Sequence, residues 1–419
     1  MHSWKSASRS SMDAEQAMGK EAENKGWLGG ISIEVRCLCV ISFISAVGFG
    51  IQSPAIPVFG QSLGVGSAMV GMIIAAFPFA RLLMAWPGGR LVNSWGEYRL
   101  LCGGLGLMAL GSVGAGLSTS AEQLLAYRGL CGVGSILYSV SAMSLMLRTT
   151  AASHRGRASG LFMGAYYVGT VSGPAIGSLF VDMSVRLPFF LYGAGTGAAA
   201  LVAALLLRHL RHSGSAAGST GQAAVGFGQA LRLASYRSAI ASNFAIGFAV
   251  YGVRVSVLPL FLLTVLNQPA KWIGIGLTVG ALAQTLLLPK AGQWVDSWGR
   301  KPALMLGIVL VLGSFLLIQA GQSLETYLGG LALMGLGTAF CTTSAAAVAG
   351  DAANGHGGTV IAGYQMAADL GMVIGPILIG LLAERFSYSL ALGCTTGLLV
   401  LATLTTLAIP HNKNKENHP

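Results

Sequence analysis

One carboxylate and three guanidinium groups lie inside long apolar stretches of this sequence. Asp369 is the only acid deep within such a stretch, and the cations are Arg81, Arg128 and Arg254. An ionised carboxylate is costly in apolar surroundings unless it takes up a proton or pairs with a cation. Proton coupling requires a carboxylate that is protonated in one state and charged in another. Asp369 is therefore the first candidate for chemistry in this chain, and the alternative is a fixed hydrogen bond to the backbone of a neighbouring helix.

The three arginines allow more than one role. Arg81 and Arg128 lie near enough to the ends of their stretches for the guanidinium to reach the membrane surface, an arrangement known as snorkelling. Arg254 lies too deep for that. A permanent pair with Asp369 would keep the carboxylate charged, whereas an Arg254 that faces a cavity would favour an anionic substrate. The sequence leaves both alternatives open.

Further polar and aromatic side chains are scattered through the same stretches. A ligand pocket needs a few polar groups among apolar walls, so these side chains are candidates for lining a substrate cavity together with Arg81 and Arg254. For each of them the alternative is an ordinary role in helix packing. The candidates are Gln52, Tyr166, Tyr167, Asn243, Tyr251, Gln284 and Gln365.

The composition indicates that lipid is the solvent for most of the surface. The chain has 419 residues, of which 53% are hydrophobic and 9% charged, whereas soluble domains carry about 25% charged residues. The net charge of +11 is spread between the apolar stretches. It does not form the concentrated basic stripe that is typical of nucleic-acid binding, so we expect no nucleic acid as a partner.

Several classes of chemical site are missing from the sequence pattern. The six cysteines lie in apolar stretches and form no CxxC spacing, which predicts neither disulfides nor a metal site. There is no Gly-x-x-x-x-Gly-Lys-Ser/Thr motif for ATP phosphates. The stretches also contain no His/Asp or Ser/Lys cluster of the kind that a membrane enzyme needs. We therefore expect no metal, no cofactor, no catalytic residues and no enzymatic activity.

The apolar stretches predict membrane-spanning helices, which need about 20 residues each. Six spans fall within residues 35–207 and six within residues 239–409. The predicted fold is thus an all-α integral membrane protein with twelve transmembrane helices in two pseudo-symmetric six-helix bundles. A Gly/Ser/Ala-rich linker at 208–238 joins the bundles, and polar tails occupy 1–34 and 410–419.

The distribution of lysine and arginine predicts the orientation of the chain. Most of these residues fall in the two tails, in the 208–238 linker and in the loops on the same side of the membrane. By the positive-inside rule both termini are expected to be cytoplasmic, in a multi-pass protein of the cell (inner or plasma) membrane.

The two predicted bundles repeat each other in sequence. GRLVNSWGEYRLL at 89–101 is matched by GQWVDSWGRKPAL at 292–304, and GTVSGPAIG at 169–177 by GMVIGPILI at 371–379. Pro57-Val58-Phe59 is matched by Pro259-Leu260-Phe261 at nearly the same spacing. A repeat of this kind is typical of transporters in which the substrate binds near the bilayer midplane between two halves.

These features resemble the major facilitator superfamily, and most closely its twelve-helix drug/proton antiporter branch. The loop after span 2 in that family reads Gly-x-Leu-x-Asp-basic-x-Gly-basic-basic and implies a conformational latch. The second copy in this chain follows the pattern closely, whereas in the first copy Asn93 replaces the acid and Glu97 replaces a basic residue. The alternative for the basic residues is loop solvation. The latch candidates are Gly89, Asn93, Gly96, Gly292, Asp296, Gly299, Arg300 and Lys301.

Two further segments carry the resemblance. LLAYRGLCGVG in span 4 is similar to the family pattern whose arginine is associated with proton coupling, which implies that role for Arg128, although Cys131 stands where the pattern has Gln. GTVSGPAIGS in span 5 is similar to the antiporter signature and implies export; close packing of span 5 is the alternative. The matching residues are Gly169, Gly173, Pro174 and Gly177.

Together these observations predict a secondary active transporter. We expect it to export small drug-like or amphipathic molecules by proton antiport and alternating access, with Asp369 and Arg128 in proton coupling. The expected partners are the small-molecule substrate, protons and the lipid bilayer, and the protein is expected to work as a monomer. The alternative is a uniporter or an exporter of one metabolite, such as a sugar or an organic anion.

Overall fold

The computed structural model describes residues 32–150, 155–181, 183–209, 227–352 and 358–407. Within these ranges the chain forms twelve long helices. They are α1 Ile33–Gln52, α2 Ser67–Trp95, α3 Glu97–Leu117, α4 Ala121–Thr149, α5 Arg155–Val181, α6 Leu187–Leu206, α7 Ala234–Thr264, α8 Lys271–Trp298, α9 Arg300–Gly321, α10 Leu324–Ala352, α11 Gly358–Arg385 and α12 Tyr388–Leu407. The predicted all-α fold is confirmed.

Eleven of the helices in the described part of the chain are long and apolar enough to cross a membrane. The other one, α5, has 27 residues and is therefore long enough to do so. Its glycines, serines and paired tyrosines lower its mean hydropathy. Polar and small residues of this kind are tolerated in a spanning helix that packs against other helices, as α5 does.

The first helix of each bundle is interrupted. After α1, the chain turns at Ser53 and Pro54 and continues as a short helix, Ala55–Ser62. In α7 the backbone is π-helical over Gly247–Val253 and α-helical on both sides. Such π-helical turns are rare and occur mostly at functional sites.

Some helix limits differ from the sequence prediction. α2 continues through Pro87 to Trp95, so Arg81 lies in the middle of the helix and not near its end. α7 begins at Ala234, so Arg237 belongs to the helix and not to the predicted linker. Most of the predicted tails and linker fall at 1–31, 210–226 and 408–419, outside the described residues.

Glycines allow the helices of each half to approach closely. In the first half Gly173 of α5 faces α1, and a Cβ on it would lie 2.6 Å from the Val47 carbonyl oxygen. In the second half Gly375 of α11 faces α7, and a Cβ would lie 2.6 Å from the Phe248 carbonyl oxygen. Because the two contacts occupy equivalent places in the repeat, the structure supports the pseudo-symmetry of the halves.

The close contact between Gly173 and α1 leads to a prediction about the stability of the protein. Gly173→Ala would place a methyl group against the backbone of α1 and is expected to destabilise the protein by about 1–3 kcal/mol, as overpacking does. The matched control is Gly164→Ala in the same helix, where nothing lies within 4 Å of the added Cβ. Thermal unfolding of both purified variants in detergent checks this. An unchanged melting temperature for Gly173→Ala would contradict the close packing of α1 and α5.

The two halves meet through α2 with α11 and through α5 with α8. We call the face at which α1 begins, with Ile33, the proximal face, and the opposite face the distal face. Near the distal face the Ala68 amide donates to Glu384 Oε2 at 2.8 Å, and the Ser67 and Tyr388 hydroxyls lie 3.3 Å apart. Gly274 of α8 approaches the backbone of α5 in the same region. The halves are therefore held together at the distal face.

Two equivalent turns on the proximal face require glycine. Gly96 between α2 and α3 has a φ of 85°, and Gly299 between α8 and α9 has a φ of 92°. Residues with a Cβ rarely adopt this part of backbone space. Gly96 and Gly299 of the repeated loop motif therefore form equivalent tight turns.

Candidate functional site

Asp369 of α11 lies opposite Arg81 of α2, across the boundary between the halves. α2 and α11 are antiparallel, and Gly71 packs against the Pro376 carbonyl while Gly380 packs against that of Ser67. The same register brings Arg81 and Asp369 to a similar depth. The Arg81 charge acts on the Asp369 carboxylate, although these two described side chains make no direct ion pair.

The proposed alternative of a pair between Arg254 and Asp369 is wrong for this structure. The described neighbours of the Arg254 guanidinium are the phenols Tyr251 and Tyr327, and no ion pair joins it to Asp369. Snorkelling of Arg81 is wrong as well, because its Nη1 donates to Ser135 Oγ of α4 at 2.6 Å. The packing of the two halves therefore determines which arginine lies near the Asp369 carboxylate.

Arg128 is buried inside the first half. Its side chain is 2% exposed, and its guanidinium carbon lies 5.1 Å from the centre of the Phe77 ring, a cation–π contact. Nε and Nη1 have no hydrogen-bond partner. Because the side chain stays inside the bundle, the structure does not support snorkelling to the distal surface. A buried guanidinium with free donors is poised to bind a negatively charged or polar group.

The tyrosines of α5 connect the polar residues of the two halves. The rings of Tyr166 and Tyr167 meet edge to face, with centroids 6.0 Å apart. Tyr166 lies within electrostatic range of the Arg81 guanidinium. Both tyrosines are also neighbours of Tyr251 in α7, which lies beside Arg254. The tyrosines of α5 therefore lie within electrostatic range of both Arg81 in the first half and Tyr251 in the second.

The remaining cavity candidates differ in their surroundings. Asn243 is 6% exposed, and its Nδ2 donates to the Tyr364 carbonyl oxygen at 2.7 Å, so it ties α7 to α11 and does not line a cavity. Gln365 is exposed on α11. Gln284 is 9% exposed and lies beside the Tyr251 hydroxyl. Gln52 is 1% exposed, and both of its amide atoms lack a partner.

The motif in α5 lies between α1 and α8. Gly169 and Gly177 face α1 as Gly173 does, and a Cβ on Gly169 would lie 2.6 Å from that of Ala46. On the other side, a Cβ on Gly274 of α8 would lie 2.5 Å from the Pro174 carbonyl oxygen. The motif therefore provides close packing both within its own half and across the interface. This geometry favours the packing interpretation, and the motif lies at the contact between the halves.

The latch candidates lie at the proximal face. Lys301 Nζ donates to the Leu407 carbonyl oxygen at the end of α12, 2.9 Å away and in the same half. Gly292 lies within α8, where a Cβ would be 4.0 Å from the nearest atom of Thr343. Gly89, Asn93 and Asp296 are helical, but their side chains are outside the described part of the structure. The latch role of these residues stays a prediction.

A buried ion pair was not predicted from the sequence. Glu97, which departs from the family pattern, is 6% exposed, and its Oε2 lies 3.0 Å from Arg148 Nε of α4. Ser144 donates to the other carboxylate oxygen at 2.5 Å. The first loop therefore carries an acid that ties α3 to α4 within one half. A basic partner near the end of α4 was the signal available in the sequence.

Tyr327 is the other buried polar residue that sequence reasoning missed. It is 0% exposed, and its hydroxyl has no hydrogen-bond partner in the structure. In the sequence it lies near the start of a span and resembles an interfacial tyrosine. Only the packing of α8 and α10 shows that it is turned toward Arg254.

Comparison with known proteins identifies the architecture. A family model described as Major Facilitator Superfamily matches residues 38–272 and 255–419. An inward-facing bacterial homolog of the human lysosomal transporter Spinster has a TM-score of 0.73 at 16% identity, covering 91% of this chain and 98% of that one. The nucleoside transporter NupG has a TM-score of 0.72 at 14% identity, covering 90% and 100%. At these identities the likeness shows the fold alone.

Curated relatives match over part of their length. Multidrug resistance protein 1 of Bacillus subtilis is 27% identical over 177 residues, 42% of this chain and 46% of that protein. Quinolone resistance protein NorA of Staphylococcus aureus is 24% identical over 167 residues, 40% and 43%. The matched segment thus spans less than half of these relatives. An uncharacterized MFS-type transporter of Methanocaldococcus jannaschii is 20% identical over 85% of this chain and 93% of that protein.

Proposed function

Because the chain belongs to the major facilitator superfamily, we propose that it is a secondary transporter that exports small organic molecules in exchange for protons. The observation that carries this proposal is the carboxylate of Asp369, which faces Arg81 across the boundary between the halves. A charge at that place is sensitive both to protonation and to separation of the halves. Proton uptake and conformational change are therefore coupled at one point.

The proposed cycle is alternating access. In the structure the halves are held together at the distal face by contacts such as Ala68 with Glu384. Attraction between an ionised Asp369 and Arg81 stabilises the packing of α2 against α11. Protonation removes that attraction and shifts the balance toward a state in which the helices separate. Arg128, buried and with free donors, is proposed to assist by holding a polar group of the proton pathway.

Export of drug-like molecules is supported by two observations. The relatives named above include multidrug and quinolone resistance proteins, and the sequence of the α5 motif is similar to the antiporter signature. We further propose that the proximal face is cytoplasmic, in line with the positive-inside rule, and that a single chain in the cell membrane performs the transport. We propose no enzymatic step.

A reconstitution experiment tests the coupling. The purified protein in proteoliposomes, with a fluorescent cationic dye and a panel of anionic and neutral drugs, is expected to move at least one compound several-fold faster under an imposed proton gradient. A protonophore is expected to abolish the increase. Transport that is indifferent to the gradient would contradict antiport and would favour the alternative of a uniporter for a metabolite.

A further inference from the structure

We propose that Arg254, with Tyr251, Tyr327 and Gln284, forms an anion subsite in the second half, and that the preferred substrates of this transporter are organic anions such as carboxylates. This inference rests on the proposed transport function and names the substrate class. The four side chains come from α7, α8 and α10.

The guanidinium of Arg254 is not satisfied by the protein. Its Nε and Nη1 are buried and have no hydrogen-bond partner. The hydroxyl of Tyr327, which is fully buried, also lacks a partner. A buried charge that lacks both a counter-ion and hydrogen bonds is strongly unfavourable. The guanidinium is always charged, and its N–H groups are preferred hydrogen-bond donors to the oxygens of a carboxylate, sulfonate or phosphate.

No described acid faces this guanidinium. The titratable groups whose charge acts on it are Tyr251 of α7 and Tyr327 of α10. The acid deep in α11, Asp369, has Arg81 of α2 as its cation. The subsite therefore combines a cation with hydroxyl and amide groups, and lacks an acid of its own. This is the chemistry that selects an anion and disfavours a cation.

The backbone around Arg254 determines where its guanidinium lies. The residue of α8 next to Nη1 is Gly280, where a Cβ would lie 3.5 Å from that atom. Arg254 follows the π-helical turns of α7 directly. Because π-helical turns rotate the residues after them relative to an α-helix, they set the direction in which Arg254 points.

The subsite is reached from between the halves. Arg254 is partly exposed although its Nε and Nη1 are buried. Tyr251, its neighbour, lies within range of Tyr166 and Tyr167 of the other half. Tyr166 is 43% exposed. An anion in the central space is therefore expected to contact the accessible part of the Arg254 side chain together with the tyrosines.

The repeat provides an independent reason to regard this position as a polar binding place. Pro57 is matched by Pro259, so Gln52 in α1 is the counterpart of Arg254 in α7. Gln52 is 1% exposed, and neither of its amide atoms has a partner. Both halves thus hold an unsatisfied polar side chain at the same place. In the second half it is charged and partly accessible, which makes that half the anion-binding one.

The experiment compares ligands that differ only in charge. Thermal stabilisation of the purified full-length protein is measured with naphthoate, naphthamide and naphthylmethylamine as probes. The parent chain is expected to bind naphthoate at least tenfold more tightly than the other two. Arg254→Gln is expected to lose that preference, and Arg254→Lys to retain part of it because the charge remains. The matched control is Lys271→Gln, which removes an exposed cation at the distal start of α8 and is expected to change nothing.

Two results would overturn the proposal. One is equal binding of the three probes by the parent chain. The other is an Arg254→Gln variant that keeps the naphthoate preference. If Arg254→Gln does not fold, Tyr327→Phe is used instead, because it removes one hydroxyl and keeps the ring. This variant is expected to bind naphthoate several-fold more weakly. Unchanged naphthoate binding would contradict the proposed subsite. Proton-driven transport is scored separately, so that loss of coupling with naphthoate binding intact rejects the antiport proposal alone.

Discussion

Asp369→Asn is expected to abolish proton-driven export while leaving exchange of substrate between the two sides intact. Asn has the shape of the protonated acid and cannot release a proton, so the variant is held in the neutral form. The carboxylate is partly exposed and makes no direct ion pair in the structure. The substitution therefore breaks no direct ion pair, and Arg81 keeps its hydrogen bond to Ser135, so the variant should cost little stability. We expect at least a tenfold loss of accumulation under a proton gradient.

The measurement uses the same proteoliposomes in two modes. Accumulation against a gradient of substrate reports coupling, and counterflow of labelled substrate reports movement of the halves alone. Asp369→Glu is expected to recover part of the coupling. The control is Glu325→Gln, which neutralises an exposed acid in the first turn of α10 and should behave like the parent. Retained accumulation in Asp369→Asn would remove this residue from the mechanism.

Gly71→Leu is expected to stop transport by preventing the halves from closing at the distal face. Gly71 of α2 lies directly against the Pro376 carbonyl of α11, and a side chain at this position meets backbone that cannot be displaced by a rotamer change. The state described by the structure then becomes unfavourable relative to one in which α2 and α11 are apart. We expect transport to fall more than tenfold.

The displaced equilibrium can be seen directly. A cysteine introduced as Gln365→Cys, on the exposed part of α11, is labelled with a membrane-impermeant maleimide from the distal side. Labelling should be faster in the Gly71→Leu background than without it. Gly103→Leu in α3 is the control, because nothing lies within 4 Å of a Cβ there. Equal labelling in the two backgrounds, with transport retained, would show that the α2–α11 contact does not close the distal face.

The fold could be predicted because each element carries its own signal. Apolar stretches of spanning length and a repeat of whole motifs specify twelve helices in two halves, whatever the details of packing. The helix limits were less accurate because the usual rules for helix ends fail here. Pro78 and Pro87 both lie inside α2. In a membrane bundle neighbouring helices satisfy the freed backbone groups, so proline does not end the helix.

The site was predicted less completely because its geometry is not local. Asp369 was recognised as an isolated buried acid, but the identity of its cation depends on the register between α2 and α11, which belong to different halves. Arg254 was recognised as too deep to reach the surface. Only the packing of α10 shows that Tyr327 lies near Arg254. By contrast, the correspondence of Gln52 and Arg254 was already present in the repeat and could have been used.

The lack of a described acid beside Arg254 also determines how transport would respond to the membrane voltage. If Arg254 receives a monovalent anion and Asp369 returns one proton, each cycle carries an anion outward and a proton inward, and both movements transfer positive charge in the same direction. Two elementary charges moving in a potential of 100 mV correspond to about 4.6 kcal/mol. Export of an anion by this protein would then respond to the membrane voltage even when the pH is equal on both sides, whereas export of a monovalent cation for one proton would be electrically silent.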